Sequence, residues 1–358
     1  MWMYIGTCTG KHDGGILRCD LDMTTGALSS PVIVGETINP SFLTISSDGN
    51  YLYCVNEIQD FAGQAAGAVT AFKIDRKDGK LIQVNQQSTR GGLPCYLVID
   101  QTGQNLLAAN YWGGSVACWP IAEDGSLGEM TSFWQHEGSS VDPKRQDKPY
   151  AHSINLDPQN HFAIAADLGA DKLFVYRFDA DGGGLAPHDP PSTSLDSGAG
   201  PRHFMFHPDQ HDVAYVINEL DSTITVLSYH PSLGQLSIMQ TVSTLPPNTG
   251  GENYPAELQI SSNGRFLYGS NRGHDTIAIF AIDPQSGKLT AIGHEPVRGE
   301  WPRNICIDPT GNYLIVANQK SDDVLVYRVN RESGELMPLG GPLMVSRPVC
   351  IKFLNDGQ

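Results

Sequence analysis

Apolar runs of four to eight residues, rich in Val, Ile, Leu, Phe and Tyr, alternate along nearly the whole chain with short clusters of Gly, Asp, Asn and Pro. Helical spacing is weak throughout, so the runs predict strands separated by turns. Their order repeats. In the stretch 201–227, PRHFMFHPDQHDVAYVINELDSTITVL, a Pro opens a first run and a turn follows. A second run then ends in Asn, and a tight loop leads into a third. Copies of this unit begin at Pro40, Pro94, Ala151, Pro201, Pro255 and Pro302, and a truncated copy begins at Pro348. A period of roughly fifty residues marks a repeat architecture.

The unit from Pro40 reads as strand A (SFLTIS), a turn, strand B (YLYCVNE), a loop, strand C (AVTAFKI), a turn and strand D (LIQVNQQ). Four antiparallel strands per repeat are what a propeller blade requires. Residues 1–38 supply strands B, C and D (MYIGT, GILRCDLD, PVIVGE) without an A strand, and the final PVCIKFL is an A strand without its partners. Joined, they complete one blade and leave no open sheet edge. The pattern therefore predicts an all-β fold. It is a seven-bladed β-propeller of four antiparallel strands per blade, closed by three N-terminal strands and one C-terminal strand, forming a single domain over 1–358.

Loop lengths predict the working face. The A–B and C–D turns are uniformly short (SDGN, DPTGN, RKDGK, PQSGK). Longer insertions fall in one B–C loop (IQDFAGQAAG) and in the D–A connections before Ala151 (WQHEGSSVDPKRQDKPY) and Pro255 (STLPPNTGGENY). B–C and D–A connections share one face of an antiparallel blade, and long loops on a rigid scaffold mark function. The starts of the A strands and the ends of the B strands converge there on the axis. The A strands bring Ser41, Cys95 with Tyr96, His152, Arg202 with His203, Ala256 with Glu257, Arg303 and Val349. The B strands bring Glu57, Tyr111, Leu168, Glu219, Arg272 and Gln319. A purely structural repeat has no need to vary between Arg, His and Glu at equivalent positions. His152, Arg202, His203, Glu219, Arg272 and Arg303 thus predict an anion-binding, acid/base-competent pocket.

That cluster stands out because the chain as a whole is acidic, with a formal charge of −16 and a pI near 4.9. Such a balance argues against nucleic acid or an anionic membrane as partner. The seven cysteines are odd in number and scattered, without a C-x-x-C, which suits a reduced cytoplasmic protein better than a disulfide scaffold or zinc site. The N-terminus lacks the features of a signal peptide, and no run reaches membrane-spanning length.

Plainer readings apply to other residues. The recurring Asn56, Asn110, Asp167, Asn218, Asn271 and Asn318 are expected to satisfy loop backbone groups. His161, His207 and His211 fall at A–B turns on the opposite face and are expected to be solvated. Cys95 is expected to be a small packed residue rather than a nucleophile. Arg202 and Glu219 have the alternative of simply pairing across adjacent strands. No G-x-S-x-G, H-E-x-x-H or P-loop occurs.

The segments PYAHSINLDP, GPRHFMFHP, YVINELDSTITV, YGSNRGHDTIAIF and PRNICIDPTGNYLIVANQ, in this order, resemble the seven-bladed propeller lactonase family. That family includes propeller-type 6-phosphogluconolactonases and the fungal carboxy-muconate lactonising enzyme. The resemblance covers essentially the whole chain, although Ala151 replaces the leading Pro of its repeat. It implies that His152 is the general acid/base and that Arg202, Glu219 and Arg272 complete the catalytic set; the strand geometry reaches the same four positions and adds His203, Glu257 and Arg303 as expected substrate-binding neighbours. The expected reaction is metal-independent, cofactor-free hydrolysis of a sugar lactone, 6-phosphogluconolactone first. His152 would have its pKa held near working pH. The expected partner is a small anionic lactone, with no nucleic acid and no membrane, and the protein is expected to be a cytoplasmic monomer. Muconolactone-type cycloisomerisation is the alternative enzyme reading. A non-catalytic binding propeller is the alternative outside enzymes, and a six-bladed metal-dependent lactonase fits the A-strand count less well.

Overall fold

The computed structural model describes residues 1–10 and 14–354. Among them lie 28 strands in seven four-stranded antiparallel sheets, and no helix. Numbering blades from the first complete repeat, the inner A strands are Leu43–Ile45, Pro94–Ile99, Ala151–Leu156, Pro201–Phe206, Tyr254–Ile260 and Pro302–Ile307. Blade seven takes its A strand, Pro348–Phe353, from the C-terminus and its other three, Trp2–Thr7, Ile16–Asp20 and Val32–Gly35, from the N-terminus. Each A strand touches the A strands of the blades on either side, so the seven sheets close into a ring. The predicted architecture holds, including the composite closing blade.

Each sheet is sandwiched between two others, which is why B strands such as Val213–Asn218 and Tyr313–Asn318 are buried on both faces. Beyond apolar packing, a recurring tyrosine staples neighbours together. The hydroxyls of Tyr4, Tyr53, Tyr215 and Tyr268 donate to the carbonyls of Gly79, Gly125, Gly287 and Gly334, each in the C–D turn of the next blade. These glycines have positive φ, and at Gly287 a Cβ would stand 2.5 Å from a Val213 methyl of the preceding blade.

The Asn or Asp closing the B strands of blades one, two, three, five and six is buried and ties down the connection leading into its own A strand. Asn56 donates to the Ile38 carbonyl, Asn110 to Thr89, Asn271 to Thr244 and Asn318 to Val297. Asp167 accepts the N–H groups of Tyr150, Gly169 and Ala170. This is the expected backbone role; Asn218 departs from it, donating to the Thr223 and Thr225 hydroxyls of its own blade. Among the turn histidines, His161 and His211 are exposed, as expected, but His207 is only 3% exposed. Its Nδ1 accepts the N–H groups of Asp209 and Gln210 while Nε2 lies 2.9 Å from the Gly264 carbonyl, so it organises its turn from inside.

Candidate active site at the mouth of the ring

A β-bulge sits at the head of the inner strands. Pairing with the B strand slips by one residue between Pro94 and Tyr96, Ala151 and Ser153, Pro201 and His203, and Pro302 and Asn304. The extra residue is Cys95, His152, Arg202 or Arg303. A bulge frees one residue from the ladder and re-aims its side chain. A left-handed residue stands just before the start of the inner segment in five blades: Asn39, Leu93, Gly200, Trp301 and Arg347. Opposite, Glu57, Tyr111, Leu168, Glu219 and Gln319 donate their backbone N–H to the carbonyl just before the same A strand. The two sets of side chains thus meet at one rim.

Glu219 is the centre of the cluster. Its Oε2 accepts from Arg202 Nε at 3.1 Å and Arg272 Nη2 at 2.6 Å, and its Oε1 accepts from Arg145 Nη2 at 2.5 Å. Burial opposes ionisation, but Arg272 and Arg202 outweigh it and hold the carboxyl well below its usual range. Arg202 is therefore not simply one half of a cross-strand pair. It also donates through Nη1 to the Ala256 carbonyl and lies 3.1 Å from His203 Nε2. Burial, then the like charge of Arg272, lowers its pKa to about 10, so it stays cationic near neutrality.

His203 Nδ1 lies 3.0 Å from Glu257 Oε1, whose other oxygen accepts from Asn304 Nδ2 at 2.6 Å. Burial and Arg202 keep His203 neutral, so its single proton sits on Nδ1 and Nε2 accepts from Arg202. Burial pushes Glu257 up to about 7 against the pull of Lys352 and Arg202. The hydrogen-bonding capacity of His203 and Glu257 is thus spent inside the protein, beneath Arg202, rather than offered to the mouth.

His152 is 6% exposed; its Nδ1 lies 3.6 Å from Cys95 Sγ, and Nε2 has no acceptor or donor among the described residues. Its ring packs against Tyr111 and His203 at centroid distances of 5.3 Å. Burial and then Arg202 lower its pKa well below the ordinary value. This corrects the expectation of a pKa near working pH: the positive surroundings outweigh Glu219, and the imidazole is held neutral. Burial also raises the Cys95 thiol pKa, so Cys95 is a packed neighbour of His152.

Three polar residues were not anticipated from the sequence. Arg145 reaches in from the long connection before Ala151, whose KRQDK run was the available signal. Asn304 is the third residue of its A strand, and Lys352, with Nζ 4.8 Å above the Phe42 ring, is the fifth of the closing one. Arg303 faces the mouth and pairs with Glu57 at 3.2 Å. Among the described residues no three His, Cys, Asp or Glu side chains converge as a cation site.

The chain matches the family model described as "Lactonase, 7-bladed beta-propeller" over residues 2–353. A protein of Bacillus subtilis named 6-phosphogluconolactonase is 35% identical, the match covering 99% of this chain and 98% of that one. A protein of the same name from Formosa agariphila is 34% identical over 84% of this chain and 85% of its own. The solved structure of a periplasmic gluconolactonase from Pseudomonas aeruginosa superposes with a TM-score of 0.93 at 34% identity, over 99% of both chains.

Proposed function

The chain belongs to the seven-bladed β-propeller lactonase family, and we propose that it hydrolyses an anionic sugar lactone, 6-phosphogluconolactone to 6-phosphogluconate, at the axial rim. The observation that carries this reading is the charge imbalance there. Four guanidinium groups (Arg145, Arg202, Arg272, Arg303) are paired with only two carboxyl groups, Glu219 and Glu57. That surplus, inside a protein of charge −16, suits a phosphate monoester of charge about −2.

His152 has an open, neutral Nε2 and is the general base. It takes a proton from water as the oxygen adds to the lactone carbonyl carbon. The oxyanion forms beside Arg202 and Arg272, whose Nη2 and Nη1 groups have no protein acceptor among the described residues. Guanidinium groups fixed before the reaction stabilise this charge without reorganisation. On collapse the ring C–O bond breaks, and His152 returns its proton to the leaving alkoxide. Glu219 holds the arginines in register and balances the transient imidazolium. His203 and Glu257 are positioning residues that fix Arg202. The seven free cysteines accord with a cytoplasmic setting for this pentose phosphate chemistry.

The test is acid release from freshly prepared 6-phosphogluconolactone at neutral pH, with the spontaneous rate subtracted, with and without EDTA, and with Arg202→Ala in parallel. Acceleration that survives EDTA and is lost in the variant supports the reading. No acceleration would return function to another lactone, a cycloisomerisation or plain binding.

A further inference from the structure

Arg145 differs from the other guanidinium groups on Glu219 in origin and in freedom. Arg202 and Arg272 are contributed by the repeat itself, from an A strand and a B strand, and their side chains are 3% and 8% exposed. Arg145 comes from the 136–150 connection and is 33% exposed. Its backbone is nonetheless pinned. Asp142 Oδ1 accepts the N–H groups of Lys144 and Arg145, and the next residue, Gln146, is fully buried, donating to the Leu168 carbonyl and to Asp171 Oδ1. Only Nη2 is engaged, with Glu219 Oε1 and the Tyr111 hydroxyl at 3.2 Å. Nε and Nη1 have no acceptor among the described residues.

A fixed base carrying a partly exposed fork at the edge of a buried catalytic cluster is suited to reading a substituent away from the reacting carbonyl. We propose that Arg145 is the specificity-determining residue for the anionic group of the substrate, holding the phosphate of a phosphorylated sugar lactone through its unengaged N–H groups. The repeat-built residues do the chemistry common to any lactone, and the inserted loop selects among lactones. This rests on the lactonase reading above.

The experiment compares kcat/KM for 6-phosphogluconolactone and glucono-δ-lactone in wild type, Arg145→Gln and Arg145→Lys, together with calorimetric affinities for 6-phosphogluconate and gluconate. Removing a charge-assisted bond to phosphate should lower the phosphorylated-to-unphosphorylated ratio of kcat/KM by about 10- to 100-fold in Arg145→Gln, mainly through KM. Arg145→Lys should restore part of it. An unchanged ratio, with both substrates losing equally, would make Arg145 a structural support of Glu219 and overturn the proposal. If wild type hydrolyses neither lactone, the lactonase reading fails. The product affinities then decide Arg145 separately, and absence of a phosphate preference in wild type, or its persistence in Arg145→Gln, overturns the proposal.

Discussion

Arg303 and Glu57 meet across the mouth of the ring, Nη2 to Oε2 at 3.2 Å, although they are 246 residues apart and stand on blades six and one. Blade seven lies between them and offers only Val349 at the equivalent bulge. The pair is partly exposed, so it is worth little in stability and acts chiefly through the field at the mouth. Arg303→Ala should raise KM for an anionic lactone by about 2- to 5-fold, and Glu57→Gln should lower it by a similar factor. Steady-state kinetics at low ionic strength would show both; opposite signs are the diagnostic result.

His152→Ala should lower kcat by about 10²–10⁴-fold, the range for losing a general acid/base. A loss of tenfold or less would place the base elsewhere. Because burial and Arg202 keep the imidazole neutral, kcat should not fall between pH 8 and pH 6 as it would for an unperturbed histidine base. A pH–rate profile corrected for spontaneous hydrolysis checks this.

Arg202→Lys should impair turnover almost as much as Arg202→Ala, by about 10²–10³-fold. An ammonium cannot serve Glu219, the Ala256 carbonyl and His203 together, nor leave a further N–H fork toward the oxyanion. Full turnover in Arg202→Lys would remove the forked donor from the mechanism.

Stability should fall on acidification from pH 7.5 to 5.5. His152 and His203 have folded pKa values below the unfolded one, so below about 6.5 the unfolded chain takes up protons that the native state refuses. Glu257 has the opposite sign. Its folded pKa is raised to about 7, so between its unfolded value and there the native state holds the extra proton, and stability drops as pH rises. Glu257→Gln removes this opposing contribution and should make the acid-side loss steeper, up to about 1.4 kcal/mol per pH unit for each proton. Urea midpoints across this pH range would measure it.

Tyr215→Phe leaves the Gly287 carbonyl of the next blade without its 2.8 Å donor in a buried setting. The expected cost is about 1–3 kcal/mol in unfolding free energy. The staple is remote from the rim residues, so kcat should be unchanged in the same preparation.

The local pattern of this chain determined the blades, their number, their strand order and the composite closing blade, because strand periodicity and turn chemistry are properties of neighbouring residues. It also determined which positions reach the axis: His152, Arg202, Glu219, Arg272 and Arg303 occupy equivalent places in successive repeats. Tertiary structure alone decided the rest. Arg145 lies outside the repeat, so no period places it, and only the folding of its loop onto the rim brings it within 2.5 Å of Glu219. His203 turned inward onto Arg202 because the bulge at Arg202 shifts the register by one residue, and Glu257, on the next blade with its own register shift, holds His203 in turn. The protonation state of His152 depends on how much water and how many cations surround it. Those are sums over several blades that no single stretch of sequence contains.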